Sequence, residues 1–487
     1  MTPSPLAHRF EKISALAIIV ATLGLASCAA VPTPATETPI EASSLASAET
    51  LKGETGAWPQ TEWWKGFNDP QLNALMDEAL ANSPDMKTAR ARIQKATAVF
   101  DQVKAVRSPT LTLNGSIDAA KSSVNMGFPD EFKAFLPDGY WYADRVTLDA
   151  NYDLDLWGKH KAASKGALSQ AQAATLDAEM ARQNLAAAIT RAYVELDRLY
   201  QERDDLTEIG LGADKRVELV QARLDHNLDT TDNLLDAQDD QAQVAQRLSG
   251  INGAIRVQGN LIAALTGAGP DRALTLTRPQ LAPASADTLP SDVRLNLLGR
   301  RPDIQAARLR VEAAGQQIKY YKADFYPNVK LNAYFGLQAL GKDGLGLDAL
   351  TAKGSDIGGI GPAISVPLFK GGQLRAQYRS AEADYNDAVA TYDKVLIQAL
   401  HDVANAAAGT QSTADQLRQA HARVASAQGT YDNSKARQAR GLDTTIDVLR
   451  AHSLLLSAEL EENNLKAQAY NDRIRFIAAL GGGFQSN

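Results

Sequence analysis

The stretch Val146–Leu156, VTLDANYDLDL, decides the fold, because apolar and polar side chains alternate along its whole length. Such strict alternation is typical of a β-strand with one apolar face and one polar face. A strand of about ten residues also has the length of a tilted transmembrane strand, apolar outside and polar inside. We therefore expect its carboxylates, Asp149, Asp153 and Asp155, to line the lumen of a barrel.

Three further stretches alternate in the same way, at about residues 109–119, 328–338 and 358–368. The last contains Pro362 and Pro367, which weaken the pattern because proline donates no hydrogen bond to a strand ladder. Four strands cannot close a barrel, and an open sheet edge is forbidden in lipid because its backbone groups find no partner. If these are membrane strands, the chain shares its barrel with copies of itself. Two hairpins in a soluble sandwich are the alternative.

The sequence is also a tandem repeat. Ser83–Met86 (SPDM) corresponds to Arg301–Ile304 (RPDI) about 215 residues later, and Leu228–Thr231 (LDTT) corresponds at nearly the same offset to Leu442–Thr445 (LDTT). Matches in the same order at one offset indicate an internal duplication. The predicted organisation is a signal peptide at 1–27, an N-terminal tether and equatorial segment at 28–70, repeat 1 at 71–267, a proline-rich linker at 268–291, repeat 2 at 292–482 and a C-terminal tail at 483–487.

Long helices are predicted between the strands and the repeat boundaries. Residues 167–209 contain no glycine or proline, and their apolar residues recur at steps of three and four, as they do in residues 373–408. This spacing is typical of a coiled-coil seam. A helix from Gly158 to the turn near Asn227 would reach roughly 100 Å if continuous. A soluble coiled coil is the alternative, but it explains neither the strands nor the N-terminus.

The N-terminus has the pattern of a secretory signal. Arg9 and Lys12 precede an apolar run, residues 13–25, that is too short to cross ~30 Å of hydrocarbon comfortably. The run ends in Leu25–Cys28 (LASC), which resembles the lipobox of bacterial lipoproteins. That resemblance implies that Cys28 becomes the mature N-terminus and carries a diacylglycerol and an N-acyl chain. A chance cysteine inside an ordinary signal is the alternative.

Composition excludes several other classes of protein. The net charge of −7 argues against a nucleic-acid partner, which would require a basic surface. A single cysteine makes neither an intrachain disulfide nor a thiolate metal cage, and the six histidines lack HExxH spacing. Asp153 and Asp155 could be the carboxylate pair of a glycoside hydrolase, but alternate positions on one strand face more simply line a polar lumen. We expect no enzyme activity, no metal and no cofactor other than the covalent lipid.

Several motifs carry a resemblance to a known family. Together with Cys28 they are Trp63–Trp64 followed by Phe67–Leu72 (FNDPQL), Arg300–Ile304 (RRPDI), Val366–Phe369 (VPLF) before Gly371–Gly372, and Arg440–Leu449 (RGLDTTIDVL). The chain resembles the TolC/OprM outer-membrane factor family, in particular its NodT-like lipoprotein branch. The resemblance covers essentially all of the chain after the signal.

The resemblance implies an α+β membrane protein. Its fold would be a homotrimer with a twelve-stranded outer-membrane β-barrel, four strands per chain, on a long periplasmic α-helical coiled-coil barrel. Its role would be the exit channel of a tripartite efflux system in a Gram-negative bacterium, with a periplasmic adaptor and a proton-driven inner-membrane pump as partners. The duct of a type I protein-secretion system is one alternative. A lipid-anchored coiled-coil scaffold without a pore is another.

The resemblance also implies two sites at the periplasmic end. The helix-turn-helix tips that would dock the adaptor are Asn227, Leu228, Asp229 and Thr230 in repeat 1, and Gly441, Leu442, Asp443 and Thr444 in repeat 2. The same residues would serve as helix caps. Asp447 matches an aspartate that lines the closed aperture, whereas Arg450 and Asn233 stand where the family pattern has further aspartates. The charge of the gate is therefore open, and we expect Arg450 to pair with Asp447.

Overall fold

The computed structural model describes residues 31–485 except 34, 48, 53–55, 122, 124–128, 130, 132–138, 284–287, 292 and 342–351. The predicted signal peptide and Cys28 lie outside the described residues. Among the described residues, no helix combines the length and the apolar composition that a membrane-crossing helix requires. In chain order the helices and strands are α1 (Pro70–Asn82), α2 (Pro84–Ala105), β1 (Thr110–Ala120), β2 (Trp141–Asp153), α3 (Lys159–Asp225), α4 (Thr231–Thr266), α5 (Val293–Arg300), α6 (Pro302–Ala323), β3 (Asn328–Gly341), β4 (Asp356–Ser365), α7 (Gln373–Gln438) and α8 (Thr445–Ala479).

The order of elements occurs twice. Each half contains two helices, two strands, one long helix and one returning helix, so the predicted tandem repeat is confirmed. Pro70, Pro84 and Pro302 each occupy the first position of a helix, where the missing N–H costs nothing. α1 and α2 are separate helices, because α1 ends before Ser83, whose ψ of 142° is extended. Proline at position 84 excludes its neighbour from the helical region, which divides the helix in two.

The four strands form one antiparallel sheet in the order β1-β2-β3-β4. Leu113 lies opposite Leu148, which lies opposite Phe335, so the register places apolar residues of successive strands on one face. That face is open to solvent in the single chain, and its exposed members are Leu111, Leu113, Ile117, Leu148, Leu331, Phe335, Ile360 and Ile364. The opposite face carries Thr112, Asn114, Thr147, Asp149, Asn151, Lys330 and Asn332. An exposed apolar face behind a polar one is typical of strands that meet lipid.

The strand boundaries correct one predicted lumen residue. β2 ends at Asp153, and Asp155 lies in the following turn with a φ of 46°. The Asp155 carboxylate accepts hydrogen bonds from the backbone N–H groups of His160 and Lys161, both at 2.9 Å, so it caps α3 instead of facing a lumen. The alternation runs past the strand end because a helix cap also requires a polar residue. β4 likewise ends at Ser365, before Pro367 and Leu368 of the predicted strand.

The described chain divides into two compact units. Unit 1, residues 1–38, 95–171 and 309–389, contains the sheet and a small core of Phe325, Leu374 and Tyr378. Unit 2, residues 39–94, 172–308 and 390–487, contains the larger core. That core includes the buried residues Trp64, Phe67, Leu75, Tyr193 and Ile474.

The FNDPQL motif organises the core of unit 2. Asp69 is 3% exposed and caps α1 by accepting a hydrogen bond from the backbone N–H of Gln71 at 2.8 Å. Its second carboxylate oxygen accepts from the hydroxyl of Tyr193 at 2.9 Å and from the backbone N–H of Gln280 at 2.7 Å. Burial raises the pKa of the Tyr193 hydroxyl, which therefore stays a donor. One carboxylate thus joins three segments that are far apart in sequence.

The RRPDI motif supplies a buried cation to the same unit. Arg301 is 6% exposed, and its guanidinium bonds Asp303 at 2.7 Å, Asp402 at 3.1 Å and the carbonyl oxygen of Ala479 at 3.2 Å. These partners belong to α6, α7 and α8. A buried arginine whose donors are paired fixes the mutual placement of the elements that it contacts.

Arg301→Ala should lower the thermal midpoint of the purified protein, because it leaves the Ala479 carbonyl and one oxygen of the Asp402 carboxylate without the Arg301 donor. We expect a loss of about 2–3 kcal/mol of unfolding free energy, the range for hydrogen bonds to charged groups. Arg301→Lys should be intermediate, since an ammonium keeps the charge but not the planar fork. Arg300→Ala, which loses only a contact over the ring of Trp58, is the control. Circular dichroism melting measures the effect, and equal midpoints for Arg301→Ala and Arg300→Ala would contradict it.

Candidate functional site

The first candidate tip reverses the chain between α3 and α4 of unit 2. Asn227 adopts a left-handed φ of 57°, which asparagine tolerates better than most residues. Its N–H donates to the carbonyl of Leu224 at 2.9 Å, and the N–H of Leu228 donates to the carbonyl of Arg223 at 2.8 Å. This pair of bonds closes the end of α3. Thr230 then caps the start of α4.

The second candidate tip, between α7 and α8 of unit 2, has the same construction. Gly441 takes the left-handed position with a φ of 74° and donates to the carbonyl of Gln438 at 2.9 Å. The N–H of Leu442 donates to the carbonyl of Arg437, also at 2.9 Å, and Thr444 caps α8. The tip residues therefore cap helices, as their residue types predict.

Each tip is braced by an ion pair that the sequence analysis did not identify. Arg223 binds Asp229 at 3.0 Å, and Arg437 binds Asp443 at 2.8 Å. The hydroxyl of Ser434 donates a further bond to Asp443 at 2.9 Å. The signal was available, because each arginine recurs with its aspartate at the repeat offset of about 215 residues. Both aspartates therefore point back into their own turn.

The side chain that each tip presents outward is a leucine. Leu228 is 68% exposed and Leu442 is 67% exposed. Both follow the left-handed residue and precede the ion-paired aspartate of their tip. A braced turn with one exposed apolar side chain is a small, preorganised contact surface, and it occurs once in each repeat.

The predicted aperture residue Asp447 is held within its own turn. Its carboxylate accepts hydrogen bonds from the backbone N–H of Thr444 at 2.9 Å and from the Thr444 hydroxyl at 2.6 Å. The Thr444 oxygen in turn accepts from the Asp447 backbone N–H at 3.3 Å, which completes a capping box. The bonds from the Thr444 hydroxyl and backbone lower the pKa of the Asp447 carboxyl, so it is ionised at neutral pH. At the other tip, Asn233 donates its amide to Asp229 at 2.6 Å.

Arg450 and Asp447 form no direct ion pair within the described residues, although the charge of Arg450 contributes to the lowered pKa of Asp447. The Asp447 carboxylate is engaged by Thr444, and no described residue forms an ion pair with Arg450. Arg450 instead lines a groove of about 360 Å³ between α3, α4 and α8 of unit 2. Both bonds from Thr444 are accepted by one carboxylate oxygen of Asp447, Oδ2. Arg450 remains available to a partner outside its own chain.

The two remaining lumen candidates lie on the polar face of the sheet in unit 1. Asp149 accepts hydrogen bonds from the Asn114 amide and the Thr147 hydroxyl, both at 2.8 Å. Asp153 faces the His160 ring, with 3.2 Å between the carboxylate oxygen and Nε2. The structure therefore brings these two carboxylates together on one face, without Asp155. Within the described ranges, no group of three or more histidine, cysteine, aspartate or glutamate side chains is arranged to hold a metal ion.

The chain is similar in sequence to known outer-membrane proteins along most of its length. The family model described as outer membrane efflux protein matches residues 75–268 and 294–482, one match per repeat. The multidrug resistance outer membrane protein MdtP of Escherichia coli is 29% identical over 444 residues, which is 90% of each chain. The fusaric acid resistance protein FusA of Burkholderia cepacia is 32% identical over 377 residues, covering 76% of this chain and 69% of FusA.

A solved structure has the same fold. The outer membrane protein VceC of Vibrio cholerae superimposes with a TM-score of 0.79 and 38% identity, over 88% of this chain and all of VceC. The fold class predicted from the sequence is confirmed, a trimeric outer-membrane channel to which each chain contributes a four-stranded sheet and a tandem repeat of long helices. The predicted location in the outer membrane and the predicted role as an efflux channel are confirmed as well. The chain belongs to the outer membrane efflux protein family.

Proposed function

We propose that three copies of this chain form the passive exit channel of a tripartite efflux system, which carries drugs or other small molecules. A periplasmic adaptor would connect it to a proton-driven inner-membrane pump. The observation that carries the proposal is the pair of braced tips, each with one exposed leucine. The relatives named for resistance to multiple drugs and to fusaric acid favour small molecules over secreted proteins as cargo. A conduit of this kind needs no catalytic residue and no metal.

The tips are suited to docking for three physical reasons. Their backbone is closed by paired hydrogen bonds, and their aspartates are held by Arg223 and Arg437, so little conformational entropy is lost on binding. Each exposed leucine contributes about 1.5–3 kcal/mol when it is fully buried against a partner. Because both repeats carry the same tip, a trimer offers six equivalent surfaces. Adaptor hairpins of one kind could occupy all of them.

We propose that Asp447, Arg450 and Asn233 surround the periplasmic aperture. The lowered pKa of Asp447 leaves it charged at neutral pH. Three such charges around one axis repel each other, and the repulsion grows as the aperture narrows. Arg450 stands one helical turn further along α8 and has no ion-pair partner among the described residues of its own chain. It supplies the opposite charge to the neighbouring chain and thereby keeps the closed ring from repelling itself.

We propose that Cys28 carries the lipid, and the segment that follows it supports this. Val31 packs against the small core of unit 1 that contains Phe325 and Tyr378. The N–H of Ala35 donates to Glu382 at 3.1 Å, and the N–H of Glu37 donates to Asn386 at 2.9 Å. Three residues of chain span at most about 11 Å. The described segment that begins three residues after Cys28 is therefore anchored beside Phe325, a few residues before β3 begins.

Replacing Leu228 and Leu442 together by alanine should weaken adaptor binding at least about tenfold, because both docking contacts lose apolar area. The same variant should abolish drug resistance in a strain that lacks its own channel but contains the adaptor and pump. Leu274→Ala removes a side chain that is 82% exposed away from the tips and is the control. Unchanged adaptor affinity, or an equal loss for Leu274→Ala, would refute docking at the tips. Export of a protein toxin without drug resistance would favour secretion instead.

Asp447→Ala and Thr444→Ala should both raise the conductance of the closed channel in planar bilayers and its susceptibility to vancomycin, because each breaks the capping box that shapes the turn. Asp447→Asn keeps an accepting oxygen and should raise conductance less. Asp432→Ala removes an exposed carboxylate elsewhere on α7 and should change nothing.

The pH dependence follows from the lowered pKa of Asp447. The ionised Asp447 carboxylate stabilises the closed turn through its bonds to Thr444. This stabilisation is present above the pKa that the carboxyl has in the unfolded chain, and it is lost as the pH falls through the lower pKa of the folded protein. Conductance of the wild type should therefore be constant down to about pH 4 and rise below it, whereas Asp447→Asn should lose that rise. Equal pH profiles for the two proteins would exclude this role.

Cys28→Ser should yield a protein without the added acyl mass, measured by mass spectrometry of the N-terminal peptide. Trimers should still enter the outer membrane, because the sheet and not the lipid crosses it. Ala29→Ser, which leaves the cysteine in place, is the control. An unmodified Cys28 in the wild-type protein would overturn lipid attachment.

A further inference from the structure

A groove of about 470 Å³ lies in unit 1 where the start of α3 meets the end of α6. Four lysines line it, Lys161 and Lys165 from α3 and Lys319 and Lys322 from α6, and no carboxylate does. The net charge of the chain is −7, so this concentration of positive charge does not follow from composition. The proposed efflux function does not use it.

Close packing of the two helices places the lysines opposite each other. A Cβ atom added at Gly166 would meet the carbonyl oxygen of Ala313 and the Cβ of Gln316, each at 3.4 Å. The two helices are therefore in van der Waals contact at Gly166. The lysines are spaced four apart on α3 and three apart on α6, so each pair shares one helix face.

The four ammonium groups lack partners among the residues that the structure describes. All four side chains belong to exposed residues, and no described residue forms an ion pair or hydrogen bond with any of them. A neighbouring lysine shows the contrast, since Lys159 binds Asp324 at 2.5 Å and lies over the ring of Tyr320. Like charges gathered in one groove repel, and the repulsion is relieved only when an anion enters.

Two aromatic rings line the groove next to the ends of β2 and β3. The ring of Trp157 stacks on that of Tyr326 with centroids 5.0 Å apart, and both rings line the groove. The Trp157 ring N–H donates to the carbonyl of Pro327 at 2.6 Å, which fixes the pair. Trp157 follows the end of β2 and Tyr326 precedes the start of β3. Tryptophan and tyrosine at strand ends mark the headgroup region of outer-membrane barrels.

We propose that this groove binds the phosphate headgroup of an anionic phospholipid in the periplasmic leaflet of the outer membrane. Lysine ammonium groups are compact charges that suit a phosphate. The acyl chains would continue along the apolar face of the sheet, where Phe335 is 68% exposed. The aromatic pair and this apolar face favour a lipid over an acidic protein. The proposal depends on the outer-membrane position of the sheet and is independent of the adaptor and the cargo.

Quenching of Trp157 fluorescence by spin-labelled lipid tests the proposal on the full-length trimer in nanodiscs. The Trp157 signal is the difference between each protein and its Trp157→Phe counterpart. At equal mole fraction, labelled phosphatidylglycerol should quench Trp157 of the wild type about fivefold or more strongly than labelled phosphatidylcholine, since each basic residue near a membrane surface attracts anionic lipid by about 1 kcal/mol. Replacing Lys161, Lys165, Lys319 and Lys322 by glutamine should remove the preference.

A matched variant changes the same amount of charge elsewhere. Glutamine at four exposed lysines of unit 2, Lys87, Lys215, Lys394 and Lys435, should leave the lipid preference intact. Equal quenching by both lipids in the wild type would overturn the proposal, as would an unchanged preference in the groove variant with its trimer intact. Soluble glycerol phosphate presents the same phosphate group, so at millimolar concentration it should reduce the preference by competing for the groove, and a preference that it leaves unchanged would contradict phosphate recognition. A groove variant that keeps its lipid preference but loses the adaptor would identify a protein surface instead.

Discussion

The two free edges of the sheet impose the constraint on which the rest of the structure depends. Within the described residues, β1 pairs only with β2 and β4 pairs only with β3, so each has one row of backbone groups without a partner in the chain. Such a row is intolerable in lipid, where each unpaired group costs several kcal/mol. Closure by further copies removes both edges at once, and the trimer of this family is the form that closure takes. The same symmetry then places three copies of every other feature around one axis.

The two tips of the internal duplication share some residues and differ in others. Both tips keep the arginine–aspartate pair, the exposed leucine and the threonine cap, which are the parts that close and brace the turn. The repeats differ where the backbone tolerates it, with Asn227 in the place of Gly441, and where charge is adjusted, with Asn233 in the place of Asp447. At the third position after the threonine cap, one tip therefore has a carboxylate and the other has an amide. A trimer therefore has three carboxylates at this position instead of the six that two identical tips would give.

Much of the fold was predictable because its signals are local. The alternation of apolar residues set the faces of the four strands, and the absence of glycine and proline indicated the long helices. The predictions for individual side chains failed at aspartates, because an aspartate can cap a helix as well as line a lumen or form an ion pair. Asp155 continued the alternation but caps a helix, and Asp447 satisfies its carboxylate three residues away instead of pairing with Arg450. The FNDPQL and RRPDI motifs identified a family without revealing their task. In the structure both supply a buried charged group, Asp69 and Arg301, that ties together segments distant in sequence.

The sequence by itself determined the strand faces, the duplication, the helix-ending residues and the need for partner chains, since all of these follow from spacing along the backbone and from the requirement that backbone groups be paired. Only the tertiary structure decided which side chains meet across the fold. The bond from Arg301 to the carbonyl of Ala479 and the four-lysine groove depend on where helices pack. Lys161 and Lys319 carry no signal of each other in the sequence. They become neighbours because α3 and α6 approach closely at Gly166, and that approach depends on packing in three dimensions and not on periodicity in one.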